Sequence, residues 1–350
     1  MRPRSSPERV LTERELNRAV LARQMLLERV RLPIPRVLER MAGLQMQYAP
    51  SGYIGLWSRV DGFRRQDLTR ELERRRVAQG TLMRNTIHLA SAGDFVLFSE
   101  GVREARRTWL LRVRKDVDAR AMEAAARRVG ALLAGGPRSR AEIVEHLGVD
   151  ASTWNAIGLW IDLVRVPPSG TWERRRADVF ALVDEWLRPT DATPAQGLEH
   201  LVRRYLAGFG PATVRDIASW AGVPVPMVTS ITTGLPLRRF RDERGDLLLD
   251  LPRAPLPPGD VPAPVRFLPT WDATLLAHAR RTQILREEHR ALVFDTKTPH
   301  SFPTILVDGQ VAGTWSERDG RVRIEPFGRI SRAARAELLE ETERLARFLS

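Results

Sequence analysis

Two glutamines, Gln45 and Gln47, lie one residue apart in the run GLQMQYAPSGYIGLW, where a helical pattern breaks into proline and glycine. Side-chain amides donate and accept hydrogen bonds but do not titrate near neutrality, so they cannot serve as a general base. They can hold a water, and they can turn a carbonyl oxygen, with its partial negative charge, toward a cation that forms during reaction. Spacing limits this. Residues two apart on a helix point about 200° from one another and cannot share one water. On an extended backbone they face the same way. Joint action therefore requires the chain to leave helical geometry by about Gln45, and Pro50 and Gly52 just beyond are consistent with that.

The charge says what such a site would meet. Across 350 residues, 56 Lys and Arg oppose 43 Asp and Glu, a net +13 that points to a polyanion and above all to nucleic acid. Lysine occurs only at Lys115 and Lys297, so the excess is arginine, a skew that a GC-rich genome also favours. Cysteine is absent, which excludes disulfides, thiolate nucleophiles and cysteine-held metal clusters. The six histidines show no HxxxH or HExxH spacing, so neither a metal nor another cofactor is expected. The N-terminus lacks the apolar run of a signal peptide, and no stretch of about twenty apolar residues is present. A cytoplasmic protein, at the nucleoid when bound to DNA, is expected.

Further candidates follow from a DNA partner. In TLMRNTIHL, read as a strand, Arg84, Thr86 and His88 fall on one face and Met83, Ile87 and Leu89 on or near the other. That predicts an outward polar stripe, with Arg84 on phosphate and His88 in a supporting contact. Arg174, Arg175 and Arg176 are expected on a return strand, touching the DNA backbone. His300 and Phe302, in the polar loop DTKTPHSFP, suit a groove-probing tip. Tyr53 and Trp57 sit at helical spacing and read as core.

The elements that must position these residues come in units of similar layout, and the fold class is mainly α with small β wings. The first unit, residues 1–112, has Thr12 and Glu15 as a capping box, a second helix from its prolines to about Gly43, and a hairpin with its turn at Gln79-Gly80. The second, residues 113–190, follows helix–turn–helix grammar around Gly148, then a hairpin near Ser169-Gly170. The third, residues 191–252, has Pro211 opening a helix, Gly222 ending it, a short helix after Pro224 and a hairpin turning at Arg244-Gly245. A proline-rich linker, 253–265, leads to a small β-rich domain, 266–350, with tight turns at Asp308-Gly309 and Asp319-Gly320 and a terminal helix capped by Ser331.

Three tandem winged-helix units, the GLQMQ break, the RNTIHL strand and the VDGQVAGTW tail together resemble the winged-helix DNA glycosylases of the AlkZ type. That family excises alkylated purines and unhooks DNA interstrand crosslinks. The resemblance covers nearly the whole chain and implies that Gln45-Met46-Gln47 lies in the DNA-binding channel with Gln45 and Gln47 catalytic. It also implies the Gln–Gln rather than the Gln–Asp subgroup, leaning toward the branch that protects a producer from its own DNA-crosslinking product. The chemistry suits amides. A 7-alkylguanine carries a full positive charge and leaves without added acid, so only a water and an oxocarbenium-like sugar need support. The expected partner is double-stranded DNA carrying alkylated purines or crosslinks, met by a monomer. The rival is a non-catalytic winged-helix transcriptional regulator. Regulators are usually dimers on two-fold sites, and three unlike units suit wrapping a duplex better.

Overall fold

The computed structural model describes residues 7–149, 151–175, 177–295 and 300–350, so Arg176 lies outside the described residues. A short strand β1 (Val10–Leu11) leads into helix α1 (Glu13–Arg23). As expected, Thr12 Oγ1 accepts from the Glu15 amide at 3.2 Å while the Glu15 carboxylate accepts from the Thr12 amide at 2.9 Å. Each bond satisfies a backbone donor that the first helical turn would leave unpaired. Helix α2 (Ile34–Met41) ends at Ala42, and positive φ at Ala42 and Gly43, 58° and 81°, turns the chain out of the helix. Strand β2 (Leu44–Gln45), helices α3 (Ala49–Trp57) and α4 (Arg65–Glu73) and strands β3 (Val77–Thr81) and β4 (Ile87–Ser91) follow.

The hairpin turn is not at Gln79-Gly80. Both residues are inside β3, and the chain turns at Met83–Asn85. Gly80 is glycine for another reason: a Cβ there would come within 2.7 Å of the Phe95 ring, on helix α5 (Ala92–Val113). The sequence signal marks close packing, not a turn.

Next come α6 (Ala119–Leu133), β5 (Arg138–Ser139), α7 (Arg140–Leu147), α8 (Ala151–Ile157), β6 (Leu163–Arg165) and β7 (Val179–Leu182). Their strands continue the first hairpin into one six-stranded sheet of order β2-β4-β3-β6-β7-β5, joined where Gln79 pairs with Arg165. Pro167 and Pro168 carry no amide donor, so regular β6–β7 pairing stops near Val166, whose amide reaches Val179 O at 3.0 Å. Arg174 and Arg175 consequently lie in the long connection before β7, not on the return strand.

A single turn α9 (Val183–Trp186) precedes α10 (Pro194–Phe209), which packs along α5. Helix α11 (Val214–Ala221) starts from the Thr213 cap rather than from Pro211, and ends at Gly222 as its sequence suggests. Then come α12 (Val225–Gly234) and the hairpin β8 (Arg238–Asp242), β9 (Leu247–Asp250). β1 completes this sheet by pairing parallel with β8.

The last region has strand β10 (Arg266–Leu268), a short helix α13 (Arg290–Val293), strands β11 (Thr304–Val307), β12 (Gln310–Arg318) and β13 (Arg321–Pro326), and helix α14 (Arg332–Leu349). Asp308, Gly309, Asp319 and Gly320 all have positive φ, the conformation these Asp-Gly pairs favour at two-residue hairpin turns. Phe267, Ile305 and Trp315 from this sheet share a core with Tyr53, Leu56 and Trp57, so the C-terminal region backs α3 directly behind the glutamines. A fully buried ion pair at 2.8 Å, Arg59 with Asp272, locks the same faces together, and a second, Arg23 with Asp250, ties the end of α1 to β9. Removing one partner of such a pair leaves a bare charge and costs about 3–5 kcal/mol. Among the described residues, no helix is long and apolar enough to cross a membrane.

Candidate active site

The segment carrying both glutamines is extended. Leu44 and Gln45 pair antiparallel with Leu89 and His88, and the Met46 amide continues the ladder to Ile87 O at 2.7 Å. Gln47 extends it once more with its side chain, Oε1 accepting from the Ile87 amide at 3.1 Å. Alternation along this strand buries Met46 in the core, with 2 % of its surface exposed. Its seat requires Gly52, since a Cβ there would come within 2.7 Å of the Met46 sulfur. The condition that spacing imposed is met, because the helix ends before Gln45 and the next one begins after Tyr48.

The two amides nevertheless have different surroundings. Gln45 is buried, and its Oε1 accepts from Arg84 Nη2 at 3.0 Å. A guanidinium only donates, so this contact identifies the oxygen and orients the amide. Arg84 Nη1 is committed to Trp220 O on α11 at 2.5 Å. Burial pulls the Arg84 pKa down to about 10, which leaves it charged at neutral pH. Among the described residues Gln45 Nε2 has no acceptor, so it remains a free donor. Gln47 is exposed.

The expected polar stripe does not face outward. Arg84 is not on a strand; it sits in the turn with φ 52°. His88 is 2 % exposed, because β4 lies between β2 and β3 and is packed by α2 and α5. Its Nδ1 donates to Thr86 O at 3.0 Å. Burial, and then the neighbouring Arg84 charge, push its pKa down to about 3, so the ring is neutral. The Thr86 hydroxyl donates to Met83 O and shapes the turn.

Gln47 opens onto a cleft of about 840 Å³ between the first hairpin, α5 and the α8–β7 region. Five arginines, Arg106, Arg114, Arg140, Arg165 and Arg175, line it against two carboxylates, Asp162 and Asp178. Arg165 is paired with Asp178, and Asp162 with Arg103, so the balance of the wall is positive. Arg175 joins the cleft to the glutamine strand, donating to the Tyr48 hydroxyl at 3.2 Å and lying over the Trp172 ring. Arg174 is exposed nearby. His300 and Phe302 are elsewhere. His300 packs edge-on against both Phe302 and Trp271 beside β10, and neither His300 nor Phe302 lines the cleft. Phe302 is 42 % exposed there. Tyr53 and Trp57 are core residues, as their spacing suggested.

Sequence reading passed over Arg106 and Trp109. Both line the cleft from α5, in the run REARRTWLLRV. Their spacing of three was the available signal, but a charged helix with one aromatic reads equally well as an ordinary surface helix. Among the described residues no group of three or more acidic or histidine side chains converges as a metal site.

Comparison with known proteins bears on this geometry. A family model described as DNA glycosylase AlkZ-like matches residues 38–348. Among solved structures, the DNA glycosylase AlkZ of Streptomyces sahachiroi superposes with a TM-score of 0.82, at 20% sequence identity over 97% of each chain. At that identity the likeness speaks for the fold. No curated protein sequence matches the chain significantly.

Proposed function

The chain belongs to the AlkZ-like DNA glycosylase family, and from that premise we propose that it hydrolyses the N-glycosidic bond of cationic 7-alkylpurine nucleotides, crosslinked ones included, using Gln45 and Gln47. The observation that carries this reading is the extended Gln-Met-Gln strand ending on a basic cleft, with Gln47 in its wall. The helix-and-hairpin modules act as three tandem winged-helix units that wrap duplex DNA, and the protein works as a monomer, in a self-resistance or alkylation-repair role.

The two amides take different duties. Gln47 Oε1 spends one lone pair on the Ile87 amide and has another to offer. It accepts a hydrogen bond from the attacking water and faces the oxocarbenium-like sugar. Gln45, its oxygen held by Arg84, offers an N–H and orients that water or the sugar oxygen. As the C–N bond breaks, its electron pair neutralises the cationic base. The water oxygen bonds to the anomeric carbon and its proton passes to solvent. No titrating base is required, so undamaged guanine, a far poorer leaving group, is spared. Arg84 and His88 act from behind the strand, while Arg174, Arg175 and Arg176 serve the backbone phosphates. His300 and Phe302 probe a groove from the C-terminal domain.

The test is a duplex with one 7-methylguanine, incubated with protein and then treated with alkali. Cleavage only after alkali, lost in Gln45→Ala and Gln47→Ala with DNA binding retained, supports a monofunctional glycosylase. Intact DNA on both methylated and crosslinked duplexes, with tight binding to particular undamaged sequences, supports the transcriptional regulator instead.

A further inference from the structure

Helix α5 presents Arg106 and Trp109 on one face, three residues apart. Arg106 is 5 % exposed and held rigidly: Nε donates to Asn85 Oδ1 at 2.7 Å and Nη1 to Thr81 O at 2.9 Å. Its Nη2 is closed to solvent and, among the described residues, has no acceptor. A buried, unmet donor is costly, and more so when it belongs to a charged group. The nearest carboxylate on the cleft wall does not relieve it, since Asp162 is taken by Arg103 and by the Ser99 hydroxyl. The arrangement is thus a fixed cation, its Nη2 closed to solvent, on the wall that Gln47 shares. Trp109 is 45 % exposed on that wall. An exposed indole in a positively charged cleft suits stacking on a base, and its negative ring face attracts a base that is itself cationic.

We propose that α5 carries the nucleotide subsite of the enzyme, with the alkylated base stacked on Trp109 and a phosphodiester of the damaged strand drawn to the wall by the fixed charge of Arg106. This rests on the glycosylase reading and adds to it a source of selectivity. Arg106 repels a cationic base and attracts the phosphate beside it, so the two groups divide one nucleotide between them. Trp109 favours the charged 7-alkylpurine over neutral guanine before any bond breaks.

The experiment measures binding by fluorescence anisotropy with a duplex bearing one 2′-fluoro-7-methylguanine, which resists cleavage, and with the same duplex bearing guanine. Wild type should prefer the methylated duplex. Trp109→Leu should lose most of that preference, about tenfold in affinity for a stacked base, and Trp109→Phe should keep most of it. Methylphosphonate linkages placed one at a time along the damaged strand should reveal one position that weakens wild type several-fold and leaves Arg106→Met unaffected. Thermal melting checks that Arg106→Met folds, and the Trp109 variants, altered at an exposed position, test the subsite independently of it. Variants that discriminate as wild type does, with no methylphosphonate position separating Arg106→Met from wild type, overturn the subsite alone if wild type still excises 7-methylguanine. Wild type that neither prefers nor excises the methylated base overturns the glycosylase reading together with it.

Discussion

Behind the glutamine strand the molecule is closed, and in front of it the molecule is open. On the closed side Gln45, Arg84, Thr86 and His88 are packed between β3, β4 and α11, and the described polar contacts among them are to each other or to backbone. On the open side Gln47, Arg175 and Trp109 line or border the cleft, and Arg106 adds a fixed, buried charge to its wall. The difference teaches how two amides on one strand are each held in a single orientation. A glutamine can present either end to a substrate, so an enzyme that relies on it must decide which. Arg84 decides for Gln45 and the Ile87 amide decides for Gln47. Charge on the closed side sets orientation, while charge on the open side lines the cleft.

The hardest way to break this contrast is Gln47→Ala. Loss of a group that stabilises charge in the transition state costs about 10²–10³ in rate, and duplex affinity should hold within a factor of about three, read by single-turnover excision beside anisotropy. Arg84→Met should cost about 10–150-fold in excision rate, the range of one charged hydrogen bond, yet almost nothing in a Gln45→Ala background. Full additivity in that double-mutant cycle would show that Arg84 does not act through Gln45.

Acid sharpens the closed side. His88 is neutral in the fold, its pKa near 3 against 6.5 for the free side chain. Between those values the unfolded chain takes up a proton that the folded chain does not, so stability falls as pH drops below 6.5, by up to about 1.4 kcal/mol per unit. His278, buried and shifted in the same direction, adds to this limb. Denaturant melts at pH 4, 5 and 7 should show the trend, and it should be shallower in His88→Leu. The excision rate, with no titrating base at its centre, should stay nearly flat from pH 6 to 8. Arg175→Ala probes the open side with the smallest effect: a few-fold loss of DNA affinity, a salt slope reduced by about one, and an unchanged rate on saturated enzyme.

Local rules made parts of this legible in advance. A threonine three residues before a glutamate starts a helix, an Asp-Gly pair closes a hairpin, and a glycine at the end of a helical pattern marks where the chain leaves the helix before the glutamines. Where several physical causes produce the same residue, sequence reading erred. Gly80 resembles a turn residue, but it is small because Phe95 packs on it. Arg84 and His88 alternate as an exposed strand would, although one sits in a turn and the other lies under two helices.

By itself, then, the sequence determined the helix caps, the C-terminal hairpins and the basic charge, because each is set by residue types and their neighbours a few positions away. Only the tertiary structure decided that Gln45 is buried and Gln47 exposed, that Arg84 reaches from the hairpin turn to both Gln45 and Trp220, and that the first two units share a sheet through Gln79 and Arg165. Those contacts join residues tens to more than a hundred positions apart. Their energies depend on burial and on which neighbour arrives first at a donor, and no local spacing encodes either.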